Sequence, residues 1–255
     1  MNDILNEVMK KFDAAKVTEE LVCWIRNWFE QNGPQSVAVI GISGGKDSST
    51  VAALCVKALG ASRVYGVLMP DHTQCDIDCS LKLVKHLGIE YKVVDIGKIT
   101  DAVKITVTDL DIELSNQSKI NIPPHVRMTV LYAISQSMNG RVSNNCNRSE
   151  NYVGYSTMFG DAAGDFSPLH NLTVTEIIKI GEYLGLPDEL IHKAPSDGLT
   201  QKTDEDNFGF TYEELDTYIF TGECPDSNKK QLIEKRHIAN EFKLKPMAAY
   251  KGSEL

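Results

Sequence analysis

Three short apolar runs interrupt a chain whose other apolar residues recur mostly at three- and four-residue spacings. Residues 36–42 are brief, β-branched and nearly uncharged, as a parallel strand buried on both faces should be; 63–69 and 91–96 read as a second and third strand, and the more polar 141–146 as a candidate fourth. Between and around them the spacing is helical. Leu5, Val8, Met9 and Phe12 mark a first helix, and Leu21, Trp24, Ile25 and Trp28 a second that Gly33-Pro34 stops. Val51, Leu54, Cys55, Ala58 and Leu59 form one stripe after the first run, and residues 76–87 form another helix that ends at Gly88. Pro123-Pro124 predicts the opening of a longer helix over 126–138, with Val130, Leu131, Ile134 and Met138 toward the core. Helical spacing returns at 175–184, 212–220 and 229–242, whereas 147–169 has no clean period and is expected to be loop. Strands alternating with helices predict an α/β fold, a doubly wound, Rossmann-like parallel sheet with helices on both faces and ligands beyond the strand C-termini. No repeat or linker divides the sequence, so residues 1–255 are expected to form one domain.

The junction after the first run carries the chemistry. Gly41, Ile42, Ser43, Gly44, Gly45, Lys46, Asp47 and Ser48 join a strand to a helix through a glycine-rich turn, with Ser48 the expected helix cap. Bare N–H groups at a helix start make an anion site. The spacing excludes two common versions. Lys46 is followed by Asp47 rather than a hydroxyl residue, unlike a Walker loop, and Ser43 stands where a dinucleotide fingerprint needs its second glycine. The remaining pattern, SGGKDS, resembles the loop of the ATP pyrophosphatases, which cleave ATP between its α and β phosphates. Lys46 and the two serine hydroxyls suit pyrophosphate, and Asp47 suits a metal bridging the phosphates.

Composition narrows the partners. Of the 255 residues 42% are hydrophobic, and the net charge of -9 argues against long nucleic acid as a partner. No apolar run of ~18 residues or leader pattern is present, which predicts a cytoplasmic protein with no membrane contact. The six cysteines form no C-x-x-C pair and are expected to be reduced thiols.

Over most of its length the chain resembles ammonia-dependent NAD synthetase. Beyond SGGKDS the likeness includes Asn121-Ile122 with Arg127-Met128, Ser149-Glu150, GYST at 154–157, Gly160-Asp161, Asp165 with Pro168-Leu169, PSDGL at 195–199, Asp204-Glu205, GFTY at 209–212 and Phe242-Lys243. The resemblance implies that ATP activates the nicotinate carboxylate of deamido-NAD as an adenylate, pyrophosphate leaves, and ammonia displaces AMP. It implies ATP contacts at residues 41–48, Asn145 and Ser196, Mg²⁺ at Asp47 and Glu150, and deamido-NAD contacts at His125, Arg127, Asp165, Phe242 and Lys243. Asp161 or Asp165 would deprotonate ammonium or orient ammonia. A homodimer built largely on the helix after Pro124 is also implied.

The sequence departs from the family's usual pattern at several places. His125 stands for an arginine, Asn145 for a threonine, Met158 and Val174 for lysines, and Phe242 for a histidine; Lys202 is the candidate to offset the missing cations. Other enzymes sharing the loop, a tRNA-thiolating or GMP-synthesising pyrophosphatase, and a non-catalytic nucleotide-binding domain are the rivals. The stretch before the loop is shorter than the ~100 residues of a small domain, and no cysteine sits in a recognisable nucleophile turn, so free ammonia rather than glutamine is the expected nitrogen donor.

Overall fold

A computed structural model describes residues 3–73, 76–193 and 203–250. Helices α1 (Asp3–Met9) and α2 (Ala14–Asn32) come first, and Asp13 caps α2 by accepting the Lys16 N–H. Strand β1 (Val37–Gly41) feeds helix α3 (Lys46–Leu59); β2 (Val64–Leu68), α4 (Ile77–Leu87) and β3 (Glu90–Val93) follow. Then come α5 (Gly97–Thr108), α6 (Asn116–Ser137) and β4 (Gly140–Val142). The four strands lie in the order β3-β2-β1-β4, all parallel, with Ala38 opposite Val64 and Val39 opposite Val142. The expected doubly wound α/β sheet is present.

Strand alternation divides the core between the two faces. Ala38, Ile40, Val64 and Leu68 pack with Val22, Ile25 and Phe29 of α2 and Val51, Leu54 and Cys55 of α3. Val39, Val67 and Val142 face the other way, onto Ile122, Val126, Met128 and Leu131 of α6. Beyond the sheet, α7 (Arg148–Val153), α8 (Val174–Tyr183), α9 (Asp188–Ile191), α10 (Asp204–Phe208), α11 (Tyr212–Thr221) and α12 (Ser227–Asn240) follow. Several of them share a third cluster around Val153, Val174, Phe208, Leu215 and Ile233.

Five local expectations are corrected. Helix α6 starts at Asn116, with Ser115 accepting the Ser118 N–H, and runs through Pro123-Pro124 instead of starting after them. The prolines remove two internal N–H donors, yet Ile122 and Pro123 are buried against the sheet, and that burial keeps the helix continuous. The core stripe of α2 is Thr18, Val22, Ile25 and Phe29, which leaves Trp24 exposed; Met138 is likewise exposed. Helix α5 lacks the clean stripe that would have announced it. Helix α7 lies inside the stretch expected to be loop, because an Asn147–Glu150 capping box stabilises one short turn there. Ser48 is not the cap: Gly45 holds that position without a side-chain bond, and Ser48 lies in the first turn.

Candidate active site

The loop after β1 is closed on itself by its two serines. Ser48 Oγ accepts the Ser43 N–H at 3.3 Å, lies 3.1 Å from Ser43 Oγ and donates to the Gly45 carbonyl at 3.3 Å. Gly45 N–H donates to Ser43 Oγ at 3.3 Å. Gly44 has a φ of 75°, and a Cβ there would sit 2.7 Å from the Ser80 N and 2.8 Å from the Cys79 Cβ, both in α4. Only glycine fits both the backbone and the neighbour. The result is an anion-binding helix start facing a cleft of about 640 Å³ at the C-terminal edge of the sheet.

Lys46 is buried at the base of this cleft, with Nζ 3.2 Å from an Asp47 carboxylate oxygen and 5.2 Å from the centre of the Tyr212 ring. Burial works against its ammonium, but the charges of Asp47, Glu150 and Asp204 outweigh it and hold the group above its ordinary range. Glu150 shows the opposite balance. Desolvation first, and then Asp47, push its carboxyl well above the usual value, against Lys46. Asn147 ties the two acids together: its N–H donates to Glu150 Oε2 at 3.2 Å and its Nδ2 to Asp47 Oδ1 at 3.0 Å. Asp204, buried on the same side, accepts the hydroxyls of Tyr155 at 3.1 Å and Tyr212 at 3.2 Å. Among the described residues no group of three or more acidic, His or Cys side chains is arranged to hold a metal alone. Two hard carboxylates crowded beside a phosphate site nevertheless fit a cation that takes its other oxygens from nucleotide and water.

Further predicted residues line the same cleft. Asn145 Nδ2 donates to the Gly41 carbonyl at 3.1 Å and its Oδ1 accepts Ser143 Oγ at 2.9 Å. Arg127 Nε donates to the Met69 carbonyl at 3.2 Å; burial lowers its affinity for the proton while Asp71 and Asp161 support the charge. Asp161 Oδ1 accepts the Thr157 N–H at 2.7 Å, and the residue is exposed to the cleft. Desolvation by the surrounding cleft raises its carboxyl above the usual range, against the Thr157 bond and Arg127. Lys243 Nζ donates to the carbonyls of Gly154 at 2.8 Å and Ser156 at 3.1 Å, and partial burial lowers its pKa against the nearby Asp161.

Other predicted residues lie apart from the cleft. Asp165 accepts the Val142 N–H at 2.7 Å and braces the end of β4; it is not on the cleft wall. His125 is exposed on α6, and Phe242 is exposed on the turn after α12; neither lines the cleft. Ser196 and Lys202 lie outside the described residues. Val174 is buried at the start of α8, away from the cleft lining.

The fold also brings in residues that sequence reasoning missed. Asn147 was readable, since an Asn three residues before a Glu is a capping-box signature. Arg236 was not: it enters from α12, donates to the Asn207 carbonyl at 2.7 Å and stacks over Phe208, all through contacts distant in sequence. Lys193 and Arg236 line the cleft with Lys46, Arg127 and Lys243, whereas neither Met158 nor Val174 lines it. Cys146 is buried, and its thiol is pushed well above the ordinary value, by burial first and then by Asp161 and Glu150. A thiol so placed is a poor nucleophile.

Comparison with known proteins decides among the readings of this cleft. The family model described as NAD synthase matches residues 17–254. The chain belongs to the NAD synthase family. It is 42% identical over 213 residues to the NH(3)-dependent NAD(+) synthetase of Thermococcus sibiricus, covering 83% of this chain and 82% of that one. Identity to the Pyrococcus furiosus enzyme of the same name is 36% over 235 residues, 92% and 88% of the two chains. Among solved structures, NMN synthetase from Francisella tularensis superposes with a TM-score of 0.87 at 31% identity, covering 95% of this chain and 100% of that one. The NH3-dependent NAD synthetase from Campylobacter jejuni gives 0.76 at 30% identity, with 94% and 100% covered. This NAD synthase therefore groups with the ammonia-dependent ligases, which form a C–N bond, and the rival readings are not favoured.

Proposed function

We propose that the protein amidates deamido-NAD with free ammonia, converting ATP to AMP and pyrophosphate. The observation that carries this reading is one continuous cleft. It runs from the phosphate loop and Lys46, past Asp47 and Glu150, to Arg127, Asp161 and Lys243. Loop N–H groups and Lys46 bind and orient the triphosphate. The nicotinate carboxylate attacks the α phosphorus, the bond to the β-phosphate bridging oxygen breaks, and pyrophosphate departs beside the ammonium of Lys46, which stabilises its charge. Asp47 and Glu150 would hold Mg²⁺, which when bound neutralises phosphate charge. Asp161, whose carboxyl pKa is raised by desolvation, takes a proton from ammonium; the resulting ammonia attacks the acyl carbon, the acyl–phosphate bond breaks, and AMP leaves while the amide nitrogen gives its extra proton to water.

Asp165, His125 and Phe242 belong to this proposal only as residues near a substrate that extends past the cleft. A homodimer in the cytoplasm completes the reading, with all 255 residues as one catalytic unit. Exposed Ile99, Val103 and Ile105 on α5 and Ile120 on α6 support pairing along that side. Light scattering should return twice the chain mass of 28.3 kDa; a monomer at working concentration would remove the dimer.

The decisive assay supplies ATP, Mg²⁺, deamido-NAD and ammonium and follows NAD, AMP and pyrophosphate. All three should appear together, and ammonia-free glutamine should not replace ammonium. Pyrophosphate formed equally without a nicotinate substrate would overturn the reading. A second reading has its own support, because the F. tularensis NMN synthetase superposes well over nearly the whole chain. In it the acyl substrate is nicotinate mononucleotide. Running both acids in the same assay separates the two, since the preferred one has the higher kcat/KM.

A further inference from the structure

We propose that Asp216, which lies outside the cleft on α11, is a positioning residue that sets the Asp47–Glu150 pair through Ser149 and the first turn of α7. The inference rests on the reading of that pair as a metal site.

Asp216 is completely buried. Its Oδ1 accepts the Ser149 hydroxyl at 2.5 Å, and its Oδ2 accepts both the Thr175 N–H at 2.9 Å and the Thr175 hydroxyl at 2.6 Å. No lysine or arginine pairs with it among the described residues, and the nearby charge of Glu176 opposes it. A carboxylate held this way costs stability that a neutral, well-packed residue would spare. Burial raises its pKa to about 6, while the three hydrogen bonds it accepts from Ser149 and Thr175 favour the ionised form.

What the charge provides is direction. Ser149 Oγ already accepts the Val174 N–H at 3.0 Å, so its one proton is free to be donated, and a carboxylate can only accept. This fixes the Ser149 rotamer and anchors the start of α7 to α8 and α11. The next residue is Glu150, whose Oε2 accepts the Asn147 N–H, and Asn147 donates in turn to Asp47. Hydrogen bonds on either side of the Ser149–Glu150 peptide link thus connect a buried carboxylate beside the third cluster to both acids of the cleft. An amide at position 216 breaks it. It either turns a donor toward Ser149, reversing that bond, or faces its NH₂ against the Thr175 N–H.

The test compares ATP affinity with Mg²⁺ and in EDTA, by calorimetry on the intact chain. Asp216→Asn and Ser149→Ala should each weaken binding with Mg²⁺ by about tenfold, as loss of an outer-shell partner does, and leave the EDTA value unchanged. Thr175→Val removes one bond on the far side of the carboxylate. It should lower the Tm while sparing Mg²⁺-dependent binding, and so separates positioning from general stability. If Asp216→Asn does not fold, Ser149→Ala decides. Both variants losing Tm alone, or weakening ATP equally in EDTA, would overturn the proposal. Native protein that binds ATP identically in both conditions would instead overturn the metal reading itself, and the proposal with it.

Discussion

The two walls of the cleft are built on different principles. The loop wall is made of backbone: glycines, two serine hydroxyls and the first turn of α3 create an anion site within a few consecutive residues. The rest of the cleft is lined by side chains of α7, α10, α12 and the turn after α12, some of them aimed by partners far away in sequence, such as Asp204 by Tyr155 and Lys243 by the carbonyls of 154 and 156. The first wall is specified locally and cannot tolerate change in its backbone. The second is specified globally and can be altered by degrees.

Three measurements sharpen that contrast. The largest effect belongs to the loop wall. Gly44→Val forces a β-branched side chain into the space of the Ser80 and Cys79 backbone at a positive φ, and should abolish ATP binding. Asp47→Asn should leave the fold intact and cut kcat by roughly 10³-fold, the scale of a lost transition-state electrostatic partner. ATP binding retained by Gly44→Val would contradict the backbone account of this wall, and near-native turnover in Asp47→Asn would remove Asp47 from the chemistry.

The second measurement concerns pH and the buried acid behind the second wall. Because Asp216 is raised to about 6 from 3.8 in the fold, its contribution to stability is fully present below its unfolded pKa. That contribution is lost as pH rises through 6. A shift of this size corresponds to roughly 2–3 kcal/mol. Urea unfolding between about pH 4 and 7 should show this loss in the native chain. Asp216→Asn should flatten that component; an identical slope in both proteins would mean that Asp216 does not titrate in this range.

The smallest effect is expected at Asn147. Asn147→Ala removes the Nδ2 bond to Asp47 and the α7 cap together, at a cost of about 1 kcal/mol for a cap. The Tm should fall by a few degrees, and the KM for ATP should rise while kcat changes less. A kcat loss as deep as that of Asp47→Asn would make Asn147 part of the chemistry rather than its support.

The same division explains what the sequence revealed. Strands 1 to 3, the loop and its helix were legible because apolar runs, glycines and a basic-acidic pair report local geometry directly. Pro123-Pro124 misled, because proline marks a helix start only when tertiary burial does not hold the preceding turns, and here Ile122 and Pro123 are buried. Trp24 misled for a similar reason. Its spacing fits a core stripe, but α2 is rotated so that Thr18 and Phe29 face inward instead. Asn145, Arg127, Asp161 and Lys243 were found by resemblance and do reach the cleft, whereas the chain folds Asp165 against β4. Asp204 was part of the likeness but carried no assigned role, and Arg236 and Asp216 had no local signal, since their partners are set only when separate helices meet.

The contact between α7 and α12 also bears on the order in which the enzyme is made. A Cβ on Gly154 would fall 2.0 Å from the Cβ of Asn240, and Asn240 Nδ2 donates to the Val153 carbonyl across 87 residues of sequence. During synthesis the sheet and its phosphate loop leave the ribosome long before this clasp can close. The nascent chain therefore has a nucleotide-binding half with no Arg236, Asn240 or Lys243 opposite it. Closure of the cleft is therefore coupled to the last helix of the fold, the clasp at Asn240 being what brings Arg236 and Lys243 to it.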